Sequence, residues 1–253
     1  MKNISLTMRL GGIIDISTKD IPELSSMVLF TVGCNFSCEY CHNKYLLHPN
    51  VGREYEIEEL RDRISTNLLV SGVSITGGEP TLQPDLFEVC KEIRKIGKYL
   101  SIDTNGSNPE VIKKIAPFIN RVALDIKGPP KQKKLQKITG VKANINKILE
   151  TINFVNTQKE TDFEIRTTFV GKLLDAEDID DIIGFLKKIG FRGIFVLQQY
   201  QFFEGVGEEY KKVFAKPGHD SLVKIIEKYK HKDLPFKIFL RDDVVGYCNI
   251  DEV

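Results

Sequence analysis

An α/β fold, a partial (β/α)6 barrel of parallel strands with N- and C-terminal extensions, is the class this sequence predicts, on three observations. Short apolar runs of strand length alternate with helical stretches from residue 27 to residue 199. The first run is continuously apolar, as a strand covered on both faces requires. Successive runs end in polar or glycine-rich residues, the position at which α/β folds gather their chemistry. Such alternation implies right-handed βαβ units and a parallel sheet. Six units are too few to close the usual eight-fold barrel, so the expected barrel is splayed, with one side open. At 253 residues the chain suits one large domain. Its expected parts are an N-terminal extension over 1–26, the core over 27–202 and a C-terminal extension over 203–253.

Each element has its own warrant. Residues 1–26 hold Gly11-Gly12-Ile13-Ile14-Asp15 and Ile21-Pro22, too many breakers for one helix and too apolar for a disordered tail, so a short strand or hairpin packed on the domain is expected. Residues 27–32 form the first strand. From 55 to 70 the apolar residues Ile57, Leu60, Ile64 and Leu68 step by three and four behind Glu54, Glu56, Glu58 and Glu59, which predicts a helix whose acidic front suits its N-terminal dipole. A second strand covers 72–76. Residues 84–96 follow as a helix with Leu86, Phe87, Cys90 and Ile93 on one face and Gly97 as its stop. Residues 99–103 are the third strand, 109–118 a short helix and 121–126 the fourth strand.

Residues 127–142, with Gly128-Pro129-Pro130 and many lysines, read as a solvated loop and helix entry, or alternatively as a basic docking surface. A helix over 144–156 has Ile145, Ile148, Ile152 and Val155 as its stripe. Alternation over 163–170 gives the fifth strand. Asp175 can cap a helix through residue 188, with Ile179, Ile182, Ile183 and Leu186 inward and Gly190 at the stop. Residues 193–199 are the sixth strand. Beyond a loop holding Gly205 and Gly207, a last helix over 220–229 and a short strand over 236–240 are expected.

Composition narrows the function. A formal net charge of +1, with 42% hydrophobic and 28% charged residues, gives no global drive toward nucleic acid or an acidic membrane surface. Five cysteines, three of them crowded on one loop, suggest a reducing compartment rather than a disulfide framework. No apolar segment approaches ~20 residues, and the first residues lack the apolar core of a secretion signal. A cytoplasmic protein with no membrane partner is expected.

The chemistry concentrates in residues 33–43, where Cys34, Cys38 and Cys41 stand at spacing C-x3-C-x2-C directly after the first strand. Three thiolates on one loop can hold three irons of a four-iron cluster and leave the fourth without a protein ligand, as catalytic metal sites keep one position open. The competing reading is a structural zinc knot, for which adjacent His42 would have to turn sharply back as fourth ligand. Parallel strands would bring further groups to the same edge. Gly77-Gly78-Glu79-Pro80 ends the second strand; two glycines let a backbone approach a ligand closely and Glu79 offers an acceptor, although a plain turn explains the tetrapeptide alone. Asp103-Thr104-Asn105-Gly106 ends the third strand as a binding segment or an Asx turn. Asp125 and Lys127 lie on one face of the fourth, as ligand groups or a simple salt bridge. Arg166, mid-strand in the fifth, wants a carboxylate or phosphate partner if it faces inward. Gln198, Tyr200 and Gln201 end the sixth, either lining the same cavity or forming a hydrogen-bonded edge. His48, His219 and His231 read as surface or capping residues, and Cys90 as a small hydrophobe.

These residues together resemble the radical S-adenosylmethionine (SAM) family, and within it the activases of glycyl-radical enzymes. The cysteine loop, with Tyr40 before its last cysteine, followed by Gly77-Gly78-Glu79-Pro80, is the specific part of the resemblance. Asp103 to Gly106, Asp125-Ile126-Lys127 and Ile165-Arg166 look like that branch's later strand motifs. Gly11 to Ser17 and Cys41-His42-Asn43 are similar to activating proteins of anaerobic ribonucleoside-triphosphate reductase. The resemblance implies a [4Fe-4S] cluster on Cys34, Cys38 and Cys41, with SAM on its unique iron. Tyr40, Gly77, Gly78, Glu79, Pro80, Asp103, Asn105, Asp125, Lys127 and Arg166 would bind cofactor. Glu79 and the backbone around it would take the methionine ammonium and Arg166 the carboxylate; Asp103, Asp125 and Lys127 would bound the ribose, the carboxylate or a monovalent cation. It implies reductive SAM cleavage to a 5′-deoxyadenosyl radical, a glycyl-radical enzyme such as anaerobic ribonucleotide reductase as partner, and an electron donor such as flavodoxin or ferredoxin. One departure is Tyr200-Gln201, where activases of pyruvate formate-lyase tend to carry Tyr-His. An alternative within the family is modification of a tRNA base or small metabolite, with Lys131-Gln132-Lys133-Lys134 as the docking surface for nucleic acid.

Overall fold

The computed structural model describes residues 6–48, 50–201 and 213–253. Two compact units are formed, one from Met1–Asn35, Asn43–Ala123 and Gln158–Asp162, the other from Phe36–His42, Leu124–Thr157 and Phe163–Val253. Among the described residues no helix is long and apolar enough to cross a membrane.

In the first unit β1 (Thr7–Ile21) and β2 (Leu24–Thr31) make an antiparallel hairpin, and β3 (Arg53–Glu56) pairs with the start of β1. The hairpin turn is Pro22-Glu23, with Glu23 at a φ of 64°. The N-terminal segment is thus a hairpin, and its strand is longer than the short one expected. Beyond β2 the sheet is parallel: β2, β4 (Gly72–Gly77) and β5 (Tyr99–Thr104) lie side by side. Met27, Val28, Leu29, Val73, Ile75, Leu100 and Ile102 are buried, which is why these strands read as apolar runs rather than alternating ones. Helices α1 (Ile57–Thr66) and α2 (Leu86–Ile96) pack on each other; α1 buries Ile57, Leu60 and Ile64, and α2 buries Leu86, Val89, Cys90 and Ile93. A short α3 (Pro109–Ile115) follows β5.

Two details differ from expectation. Leu68 is not part of the α1 stripe: it is 87% exposed, because Asn67 leaves the helix for extended backbone. The Asn67 side chain accepts from the Leu69 amide and donates to the Asp15 carbonyl, offering the backbone a local alternative to another helical turn. On α2 it is Val89, not Phe87, that is fully buried; the Phe87 ring instead packs edge-on against Phe118, with the Lys114 ammonium over it.

β6 (Arg121–Asp125) starts in the first unit and ends in the second. Most of β7 (Asp162–Phe169) belongs to the second unit, where it is followed by β8 (Ile194–Gln199) and β9 (Lys237–Asp242), all parallel, and then by β10 (Gly246–Asn249), antiparallel to β9. The late apolar run near residue 238 therefore adds a further parallel strand to the expected six. Four residues with one aromatic gave β10 too little pattern to be read beforehand. Helix α6 (Ala176–Lys188) opens with a capping box in which Asp175 and Asp178 each accept from the other's backbone amide, as the position of Asp175 suggested. The last helix, α7, covers His219–Ile226. The expected loop with Gly205 and Gly207 lies outside the described residues.

The lysine-rich stretch 127–142 is not a solvated loop throughout. It contains α4 (Gln132–Thr139), which buries Leu135, Ile138 and Thr139 and precedes α5 (Ile145–Asn156). Lys131 pairs with Asp181, and Lys134 with Asp178 at 2.5 Å. The apolar pair three residues apart, masked by surrounding lysines, carries the helix.

The α1 boundary makes an expected contrast. Ile64, at 1% exposure, should cost about 3 kcal/mol when replaced by alanine, whereas Leu68→Ser should stay within about 0.5 kcal/mol of the parent. Urea denaturation of the two variants measures the difference.

Candidate active site

The C-terminal ends of β2, β4 and β5 share one edge of the first unit, and most of the expected groups from this part of the chain meet there. Gly77, at a φ of 118°, lies so close to β2 that a Cβ would be 2.3 Å from the Thr31 nitrogen. A Cβ on Gly78 would be 1.9 Å from the Gly33 carbonyl oxygen. Both contacts demand glycine. They let the Gly78 amide donate to Thr31 (2.9 Å) and the Glu79 amide to Gly33 (2.8 Å), tying this segment to the start of the cysteine loop.

Glu79 is 1% exposed, and its carboxylate is gripped by protein donors. It accepts from the Thr81 amide and hydroxyl, from the Thr104 hydroxyl at 2.7 Å and from the Asn105 amide at 2.7 Å. Burial raises its carboxyl above the ordinary range, while these hydrogen bonds from Asn105, Thr81 and Thr104 pull the other way. The carboxylate thus clamps the end of β4 to the end of β5, and Pro80 opens the short 3-10 turn that brings Thr81 back to it.

Asn105 extends this network to the first cysteine. Its side-chain amide donates to Asn35 at 2.8 Å and stands 4.0 Å from the Cys34 sulfur, while its own carbonyl accepts from the Ser107 amide. Asn35 in turn donates to the Ser107 hydroxyl at 2.7 Å. Asp103, nearly buried, lies 3.9 Å from the Arg121 guanidinium. So Cys34, Gly77, Gly78, Glu79, Pro80, Asp103 and Asn105 are placed within one unit. Asn35, Thr81, Thr104 and Ser107 were missed as partners. Their only signal was position: each is within two residues of a residue already chosen.

The second unit holds the rest. Residues 36–42 are anchored by the Ser37 amide, which donates to the Thr139 carbonyl at the end of α4 at 2.8 Å. Gly140, at a φ of 70°, passes so close that a Cβ would be 2.5 Å from the Ser37 carbonyl oxygen. The Cys41 amide closes a turn onto Cys38. Behind the two thiols is an aromatic stack: the His42 ring lies flat on Tyr200 at 5.0 Å and Tyr40 meets Tyr200 edge-on at 6.2 Å. Tyr200, expected only to line the cavity or to sit on a hydrogen-bonded edge, is fully buried. Its clue was the Tyr200-Gln201 pair at the end of the sixth expected strand. His42 hydrogen-bonds the Gln201 backbone, and the Gln201 side chain donates to Gln199.

Asp125, Lys127 and Arg166 form one group, with Arg166 buried and Asp125 and Lys127 partly buried. Lys127 donates to one Asp125 oxygen at 3.0 Å and the Arg166 Nε to the other at 2.9 Å. Burial opposes charge on Asp125, yet Arg166 and Lys127 outweigh it and hold the carboxyl well below the usual carboxylate range. Burial likewise works against the Lys127 charge, but Asp125, Tyr40 and Cys38 keep it protonated. Burial pushes the Tyr40 phenol far up, and burial with the Lys127 charge lowers His42 to about 4, leaving its imidazole neutral at neutral pH.

The donor chemistry fits an iron–sulfur cluster. None of the three loop cysteines is in a disulfide; an amide N–H approaches Cys34, and a cation acts on Cys38, both of which favour thiolate ligands. Among the described residues no three His, Cys, Asp or Glu side chains gather around a single metal-ion position.

Comparison with known proteins agrees with this chemistry. A glycyl-radical enzyme activating enzyme of Methanocaldococcus jannaschii, provisionally so named, is 37% identical over 227 residues, which are 87% of this chain and 92% of that protein. Among solved structures, TYW1 with a lysine-pyruvate adduct bound superposes with a TM-score of 0.63 at 18% identity, over 89% of this chain and 80% of that one. A domain of pyruvate-formate lyase-activating enzyme from Bacteroides vulgatus gives 0.51 at 20% identity, over 66% of this chain and 98% of that one. These neighbours share the mixed α/β, partial-barrel fold class expected from the sequence. The family model of the Radical SAM superfamily, a family that implies a [4Fe-4S] cluster and S-adenosylmethionine, matches residues 28–186. Over more than half its length, therefore, and with a relative that spans nearly all of it, the chain belongs to the radical SAM superfamily.

Proposed function

We propose that this enzyme is an activase that generates a glycyl radical on a partner protein, with anaerobic ribonucleoside-triphosphate reductase as the target. The observation that carries the reading is the Glu79 clamp, which holds the Gly77–Pro80 backbone, the β5 end and the start of the cysteine loop in one fixed arrangement. A relative named for glycyl-radical activation that aligns with 87% of the chain supports the choice of branch.

In this reading Cys34, Cys38 and Cys41 hold three irons of the cluster and leave the fourth to SAM. When bound and reduced by a donor such as flavodoxin or ferredoxin, the cluster supplies the electron that splits SAM into methionine and a 5′-deoxyadenosyl radical. The chain's own contribution is orientation and exclusion of water. Glu79 and the backbone around it receive the methionine ammonium. Because the carboxylate already accepts from Thr81, Thr104 and Asn105, its main effect is to fix that backbone. Arg166 addresses the methionine carboxylate, and Asp103, Asp125 and Lys127 bound the ribose side. Lys127 and Arg166 already balance Asp125, which lowers the demand there for a monovalent cation, one of the alternatives the resemblance left open. Tyr40, with a phenol that stays protonated, closes the site beside the last cysteine.

The alternative acceptor, a tRNA base or small metabolite, would use the lysines at 131–134 as a basic surface. Lys131 and Lys134 are paired with Asp181 and Asp178, which weakens that surface as a phosphate-binding one.

Three measurements follow. Anaerobically reconstituted protein should release 5′-deoxyadenosine from SAM with a strong reductant, and Cys38→Ala should reduce this to background; a fully active Cys38→Ala variant overturns the cluster assignment. Glu79→Ala should lower stability by about 3 kcal/mol in urea denaturation, since it strands buried donors of Thr81, Thr104 and Asn105. Mixed with anaerobic ribonucleotide reductase, SAM and reductant, the enzyme should produce a glycyl-radical signal in electron paramagnetic resonance. Its absence, together with salt-dependent RNA binding, would favour the alternative acceptor.

A further inference from the structure

The hairpin of β9 and β10 lies beyond the family-matched residues 28–186, and it sends one side chain to the buried end of the second unit's ion network. The Tyr247 hydroxyl donates to the Glu164 Oε2 at 2.9 Å. The other Glu164 oxygen lies 3.9 Å from the Arg166 Nε, and the same Nε donates to Asp125 at 2.9 Å. Glu164 and Arg166 side chains are 4% and 8% exposed. The Tyr247 ring is held independently, tilted against Phe239 at 4.8 Å.

Arg166 therefore sits between two carboxylates, and its direction depends on how each is held. Asp125 is fixed from its far side by Lys127. Glu164 is fixed from its far side by Tyr247. Without the hydroxyl, Glu164 turns further toward Arg166 and draws the guanidinium from Asp125, since a buried carboxylate compensates a lost donor with its nearest cation. We propose that Tyr247 is a positioning residue for SAM binding that acts through Glu164 on Arg166, which makes the C-terminal hairpin part of the cofactor-binding apparatus. This rests on the reading above that Arg166 and Asp125 face SAM.

Equilibrium dialysis of SAM against the anaerobically reconstituted full chain tests it. Tyr247→Phe keeps the ring on Phe239 and loses only the hydroxyl; it is expected to raise the SAM dissociation constant about fivefold, with a melting temperature lowered by only a few degrees. Glu164→Gln is expected to raise it about tenfold. The double variant should be no weaker than Glu164→Gln alone, because Tyr247 acts through that carboxylate. Fully additive effects overturn the inference, as does a Tyr247→Phe protein that binds SAM as tightly as the parent, whatever its melting temperature. Both results leave the functional reading intact. A parent protein that binds no SAM overturns the two together.

Discussion

A single buried carboxylate sets the geometry of the first unit. Glu79 is out of water and accepts from donors on its own turn and on the end of β5, so neither strand end can move without stranding a buried charge. The same turn can approach β2 only because Gly77 and Gly78 lack side chains. Together these constraints bring the Asn105 amide to Cys34. The position of the first thiol is thus a consequence of packing made by residues that are not themselves ligands.

The second unit solves a similar problem with charges rather than hydrogen bonds alone. Lys127, Asp125, Arg166 and Glu164 make a row of alternating sign that is buried at its Arg166 and Glu164 end. Such rows are sensitive to removal of any one member, and they are specific about direction, which is the property a site for a zwitterionic ligand requires. The aromatic stack of His42, Tyr200 and Tyr40 adds a water-poor wall beside Cys38 and Cys41.

Much of this was legible in the sequence where one residue type has one physical use. Paired glycines at a strand end, three cysteines on a loop and the Asp175 cap each announce themselves. The parallel strands were legible because strands buried on both faces have few polar residues. What was hidden depends on partners distant in sequence. Nothing local says that Glu79 would be occupied by Thr104 and Asn105, or that Tyr247 would meet Glu164 across 83 positions. The α1 end was misjudged because Leu68 keeps the helical period while Asn67 breaks the backbone. Helix α4 was underestimated because lysines conceal a short apolar pair, and those lysines turned out to serve α6.

The contact of Gly140 with Ser37 carries a consequence for maturation. The loop that bears Cys38 and Cys41 is fastened through the Ser37 backbone to the last turn of α4, and no sulfur takes part in that fastening. That hold needs no metal, so in the functional reading proposed above the chain around Cys38 and Cys41 would be in place before a cluster is assembled on it. Insertion would then spend little binding energy on ordering that stretch of polypeptide.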